Sequence, residues 1–150
     1  SQKLADYSQN SSVSDRTKVS LQVLIANSWF YERNYTKAIV EYNKVISNYP
    51  SYSNDQSLFF VKTRIADAFY ALKKDKEANV VLVTAIPEHV FTLGAKENEA
   101  VWKAFDKVSP KVLTTEEYKT FLEATLKSTP AVEENTKFLG RVKSELGKIK

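Results

Sequence analysis

The feature that most constrains this chain is that it repeats itself. Residues 25–50 read IANSWFYERNYTKAIVEYNKVISNYP, and residues 65–90 read IADAFYALKKDKEANVVLVTAIPEHV. Placing Ile25 on Ile65 puts Ala26 on Ala66, Trp29 on Phe69, Phe30 on Tyr70, Ala38 on Ala78, Tyr42 on Leu82 and Val45 on Ala85, all at one offset of 40. Two independent amphipathic helices rarely share both their small-residue positions and an aromatic pair at one offset. A period of this length marks stacked helical hairpins. The recurring alanines have a physical reason. Where two helices of a tight hairpin approach most closely only a small side chain fits, and large apolar residues fill the groove on either side.

The rest of the chain has the same rhythm. Leu21, Ile25 and Trp29 recur at steps of four, and Ser14 is placed to cap that first helix. Glu32-Arg33-Asn34 breaks it, and a second helix from about Tyr35 to Ser47 ends at Asn48-Tyr49-Pro50, since the residue before proline is pushed out of helical geometry. Ser53 and Gln56 have capping-box spacing ahead of a third helix carrying Leu58, Val61, Ile65, Phe69 and Leu72. Asp75 is expected to cap a fourth, with Ala78, Leu82 and Ala85 inside and Pro87 at its end. Gly94 suggests a turn. A fifth helix holds Val101, Ala104, Phe105 and Val108. Thr114 and Glu117 form a second capping-box signal opening a sixth, with Tyr118, Phe121 and Leu122. Thr129-Pro130 is read as the N-cap and first position of a last helix with Val132, Leu139, Val142, Leu146 and Ile149 on one narrow stripe. No segment sustains period-two alternation. The expected fold is all-α: antiparallel helical hairpins stacked as a short solenoid, about seven helices, with a capping helix at the C-terminus. Residues 1–13 read as a polar leader or linker and 14–150 as one domain: hairpins at 14–50 and 53–90, then a degenerate hairpin with the capping helix at 95–150.

Composition excludes much chemistry. There is no cysteine, which removes disulfides, thiolate-ligated metal centres and thiol catalysis. The single histidine, His89, excludes a His-pair metal site and reads as a satisfied or exposed loop residue. The three glycines, Gly94, Gly140 and Gly147, are too dispersed to cradle a phosphate. The carboxylate pairs Glu97/Glu99, Glu116/Glu117 and Glu133/Glu134 fall in or near first helical turns, where the helix dipole favours them. No catalytic residue, metal site or cofactor is expected. Most of the 22 basic residues have acidic neighbours, so the net charge of +4 reads as a solvated surface and not as a nucleic-acid face. No run is long and apolar enough to span a bilayer.

The repeated residues resemble those of the tetratricopeptide repeat (TPR) family. Ile25-Ala26, Trp29-Phe30, Asn34-Tyr35, Ala38, Tyr42, Val45 and Pro50 carry the resemblance. Ile65-Ala66, Phe69-Tyr70, Ala78, Leu82 and Ala85 repeat most of it. The sequence departs at Gln22, where the family prefers a large apolar residue, and at Arg33, where it prefers glycine. The common repeat has 34 residues, so the extra length falls most simply after Pro50. The Tyr-Pro-Ser linker is similar to those joining TPR segments of bacterial cell-envelope scaffolds and lipoproteins. The resemblance implies a non-catalytic scaffold that binds a partner peptide or helix in a groove lined by the first helix of each hairpin. Its groove positions correspond to Val23, Asn27, Phe30, Tyr31, Phe60, Thr63, Asp67 and Tyr70. Phe30, Tyr31, Phe60 and Tyr70 are the expected apolar anchors, with Asn27 and Asp67 as orienting polar groups. Val23 stands where carboxylate-gripping members carry lysine, so that activity is not expected. The other readings are a structural or oligomerisation domain of a larger envelope protein, and an enzyme with its site in the C-terminal half. The envelope resemblance and the absence of cysteine point to a periplasmic or cell-envelope location, with the cytoplasm as the alternative. The opening on Ser1 and the lack of methionine suggest a trimmed chain that has lost a signal peptide or lipid anchor.

Overall fold

The computed structural model describes residues 14–49, 55–90 and 98–149. Among these residues all regular structure is helical and no strand occurs. Seven α-helices follow one another: α1 (Asp15–Tyr31), α2 (Tyr35–Asn48), α3 (Asp55–Ala71), α4 (Asp75–His89), α5 (Asn98–Lys107), α6 (Thr115–Ser128) and α7 (Thr136–Gly147), with a 3-10 turn at Glu133–Asn135 before the last. Helices pack on neighbouring helices in the manner of a short helical-repeat fold. The polar leader at 1–13, the Ser53 capping box and the Gly94 turn lie outside the described residues.

The chain divides into two compact units, Ser1–Lys74 and Asp75–Lys150. In the first, α2 packs against both α1 and α3. The first helix starts where Ser14 Oγ accepts the Thr17 N–H at 3.3 Å, and α2 starts where Asn34 Oδ1 accepts the Lys37 N–H at 3.3 Å. The buried face of α1 is Ile25 and Ala26, that of α2 is Ala38, Tyr42 and Val45, and that of α3 is Phe59, Val61, Ile65, Ala66 and Ala68. Each large aliphatic side chain so buried contributes about 1.5–3 kcal/mol. Gln22, the position expected to be apolar, is also buried. Its Nε2 donates to the Glu41 carboxylate at 2.5 Å and to the Glu41 carbonyl at 3.3 Å, so a polar tie joins α1 to α2.

The repeat is legible in the backbone as well as in the burial. All four matched alanines, Ala26, Ala38, Ala66 and Ala78, are fully buried, and so are Tyr42 and Leu82. After α1 the Arg33 N–H donates to the Phe30 carbonyl at 3.0 Å and the Asn34 N–H to the Trp29 carbonyl at 2.9 Å. After α3 the Lys73 N–H donates to Tyr70 at 3.0 Å and the Lys74 N–H to Phe69 at 2.8 Å. These are two copies of one helix-ending motif, in which the residue past the cap turns left-handed and satisfies the last carbonyls.

In the second unit α4 packs on α5 and α6, and α7 on α6. Phe105 stands at the centre of an aromatic cluster, its ring 5.6 Å from Phe121 and 5.6 Å from Phe138, with Trp102 5.4 Å from Phe138. The Thr114–Glu117 capping box forms as expected, with N···O distances of 2.9 and 3.0 Å. Asn79, wholly buried, donates to the Asp75 carbonyl at 2.8 Å and accepts the Ser109 N–H at 2.7 Å, fixing the chain after α5 onto α4.

Three expectations need correcting. Asp75 is the first residue of α4 and not its cap. Pro87 lies, as expected, at the end of α4, in the last turn before His89. His89 is buried in that last turn and is not a loop residue. Thr129 caps the C-terminus of α6 and does not open α7: its N–H and its Oγ1 both donate to the Thr125 carbonyl, and it takes the extended geometry that a following proline demands. Val132 therefore precedes α7 and stays 46% exposed, off the apolar stripe.

Candidate functional site

The eight groove positions lie on α1 and α3, within the first unit, and the structure sorts them into three local arrangements. The first surrounds a residue the sequence reading did not select. The Arg64 guanidinium lies 4.7 Å from the centre of the Phe30 ring, 5.5 Å from Tyr31 and 5.2 Å from Phe60. Its Nη2 donates to the Tyr31 hydroxyl at 3.1 Å. Phe30 in turn meets Tyr31 and Tyr35 edge-on, at 5.9 and 5.3 Å. Three of the four expected anchors are thus gathered around one cation. Tyr31 is 69% exposed and Phe60 41%, so the cluster faces solvent.

The second arrangement is an apolar groove. Val19, Val23 and Leu24 of α1 face Phe60 and Val61 of α3 across a surface cavity of about 520 Å³, with Val45 of α2 behind and Ser20 and Ser57 also lining it. Val23 therefore lies in the groove as a wall. Phe60 belongs to both arrangements, so the arginine cluster and the groove are one ring apart.

The third arrangement is internal. The Tyr42 hydroxyl donates to Asn27 Oδ1, which turns Asn27 toward the helix partner. Burial pushes the Tyr42 phenol up to about 12, with the Arg64 charge opposing and Tyr31 and Asp67 adding to the rise. Thr63 is likewise occupied, its hydroxyl donating to the Phe60 carbonyl at 2.7 Å in its own helix. Asn27 and Thr63 are thus bonded within the unit; Asp67 and Tyr70, which also have partners, are partly exposed on α3. No protein-family model, curated protein or solved structure matches the chain.

The signal for Arg64 was present in the sequence. It sits four residues after Phe60, one turn along the same helix face. The cue was missed because the repeat alignment highlights what recurs, and the matching position in the first repeat is Leu24. Among the described residues no group of three or more His, Asp or Glu side chains is placed to hold a metal ion. The polar cavity of the second unit, about 480 Å³ and lined by Tyr118, Glu145 and Lys148, is occupied by its own bonds. There the Tyr118 hydroxyl donates to Glu145 at 3.3 Å, and Lys148 pairs with Glu145 at 3.2 Å. No helix among the described residues is long and apolar enough to cross a membrane.

Proposed function

We propose that this chain is a TPR-like, non-catalytic interaction module that holds a partner peptide or helix along α1 and α3. The observation that carries the reading is the solvent-facing cluster of Phe30, Tyr31 and Phe60 around Arg64, continuous through Phe60 with an apolar groove. Aromatic rings and arginine are the residues that dominate binding energy at protein interfaces. Supporting the family assignment are the four buried alanines and the paired turns, each at the offset of 40 that the sequence repeat has. The function is surface recognition by a pre-formed helical array. A periplasmic or envelope setting accords with the cysteine-free composition and the envelope-type linker.

The test is a double substitution, Tyr31→Ala with Phe60→Asp, at two exposed positions that leave the core intact. Affinity capture from native extract with wild type and variant, read by mass spectrometry, is expected to lose specific partners in the variant. Retention of every partner by a folded variant overturns the assignment of this face.

A further inference from the structure

The two units differ in charge. Residues 1–74 carry ten Lys and Arg against six Asp and Glu, whereas residues 75–150 carry twelve of each, so the whole net charge of +4 belongs to the first unit. Both units hold cations on carboxylates, the first through Lys44 and Glu41 at 3.1 Å. In the second unit basic side chains meet carboxylates: Lys76 with Glu117 at 2.8 Å, Arg141 with Asp106 at 2.9 Å, Lys148 with Glu145 at 3.2 Å. The first unit also holds cations on rings: Lys37 lies 4.4 Å from the centre of the Trp29 ring, and Arg64 lies against Phe30, Tyr31 and Phe60 and donates to the Tyr31 hydroxyl. An aromatic face attracts a cation and fixes its orientation but leaves its charge in place. A guanidinium has five in-plane N–H donors, of which the Tyr31 hydroxyl takes one at Nη2 of Arg64, and such donors match a carboxylate two at a time.

We propose that the face built by Arg64, Phe60 and the Val19–Val23–Leu24 wall takes a segment of a partner protein that pairs one acidic residue with a bulky apolar one. The carboxylate meets the Arg64 guanidinium and the apolar side chain enters the groove beside Phe60. Because Phe60 touches both, the two partner residues stand about one helical turn apart. This inference rests on the groove reading above and adds the chemistry of what the groove accepts.

A random-peptide library displayed on phage, selected against the immobilised full chain, provides the test. Recovered peptides are remeasured by fluorescence anisotropy on wild type, Phe60→Ala, Arg64→Gln and Arg64→Lys, each first checked for helicity by circular dichroism. Recovered sequences are expected to carry Asp or Glu within a turn of Leu, Ile, Phe or Trp. Phe60→Ala and Arg64→Gln are each expected to weaken them roughly five- to twentyfold, with Arg64→Lys between Arg64→Gln and wild type. The Arg64→Gln loss is expected to shrink as salt rises. Peptides that depend on Phe60 but lack an acid, or that bind Arg64→Gln as tightly as wild type, overturn the acidic partner and leave the groove standing. If no recovered peptide depends on Phe60, the groove reading itself fails and this inference with it.

Discussion

Arg33 and Lys73, 40 residues apart, adopt the same left-handed backbone, with φ of 65° and 62°. Both sit just past a helix end, and each donates its N–H to the carbonyl three residues back. A side chain at positive φ crowds its own backbone, and glycine removes that crowding at the cost of a floppier unfolded chain. Arg33→Gly and Lys73→Gly are each expected to stabilise the protein by about 0.5–1 kcal/mol. Denaturant unfolding followed by circular dichroism checks this. An Arg33→Ala control, which keeps the Cβ, is expected to gain nothing.

The matched alanines make the second prediction. Ala26 and Ala66 have no exposed surface, on the buried faces of α1 and α3. Ala26→Leu and Ala66→Leu add three carbons where none fit, and overpacking of this kind costs about 1–3 kcal/mol or more. Ala71→Leu, on the exposed last residue of α3, is expected to be near neutral. A thermal melt in which Ala26→Leu matches wild type contradicts the close packing of α1.

The seven helices and most of the core were legible because spacing and burial are linked by helical geometry. Leu21 and Trp29 fall on the predicted stripe yet stay partly exposed, while the predicted Ile25 is buried. Terminal detail was less legible. Thr129 has the side chain of an N-cap and precedes a proline, but its hydroxyl can equally turn back to the helix it follows, and that bond wins at 2.6 Å. At the candidate site Phe30, Tyr31 and Phe60 were named from what the family resemblance implies about groove positions. Arg64 was not: its place one turn after Phe60 is visible in the sequence, but its contact with Phe30 and Tyr31 of α1 is a tertiary fact.

A third prediction concerns acid. Glu117 Oε1 is held by Lys76 at 2.8 Å and accepts the Thr114 N–H, and these bonds lower its carboxyl from 4.5 to about 2. The folded chain therefore binds fewer protons than the unfolded chain between those values. The contribution is fully present above pH 4.5 and is lost as pH falls through 2. Glu117→Gln is expected to flatten the acid limb of stability against pH, and Lys76→Met to flatten it in part. Thr114→Ala removes the cap itself and is expected to cost about 1 kcal/mol at neutral pH.

Alkali acts through two phenols. Burial pushes Tyr42 and Tyr118 up from 10.0 to about 12, the charge of Glu145 adding to the rise at Tyr118. Each folded phenol keeps its proton where the unfolded one releases it. Stability from these groups is whole below pH 10 and is lost as pH rises through 12. Ultraviolet titration of the folded protein is expected to show Tyr42 and Tyr118 ionising late. In Tyr42→Phe the late signal is expected to fall by one residue, and the Asn27 carbonyl oxygen loses its donor.

Asn79 gives the last prediction. Its amide bridges the start of α4 and the chain after α5, donating to the Asp75 carbonyl at 2.8 Å and accepting the Ser109 N–H at 2.7 Å, with no exposed surface. Asn79→Ala leaves a backbone donor and acceptor without this partner and opens a small void, an expected loss of about 2–3 kcal/mol. Asn79→Asp keeps an acceptor for Ser109 but buries a charge and drops the donor to Asp75. It is expected to be at least as costly at neutral pH and to recover as the new carboxyl protonates in mild acid. Hydrogen exchange at the Ser109 amide separates the two effects. Exchange is expected to accelerate in Asn79→Ala, and to stay protected in Asn79→Asp wherever that variant is folded. An Asn79→Ala protein with wild-type protection at Ser109 contradicts the bridge.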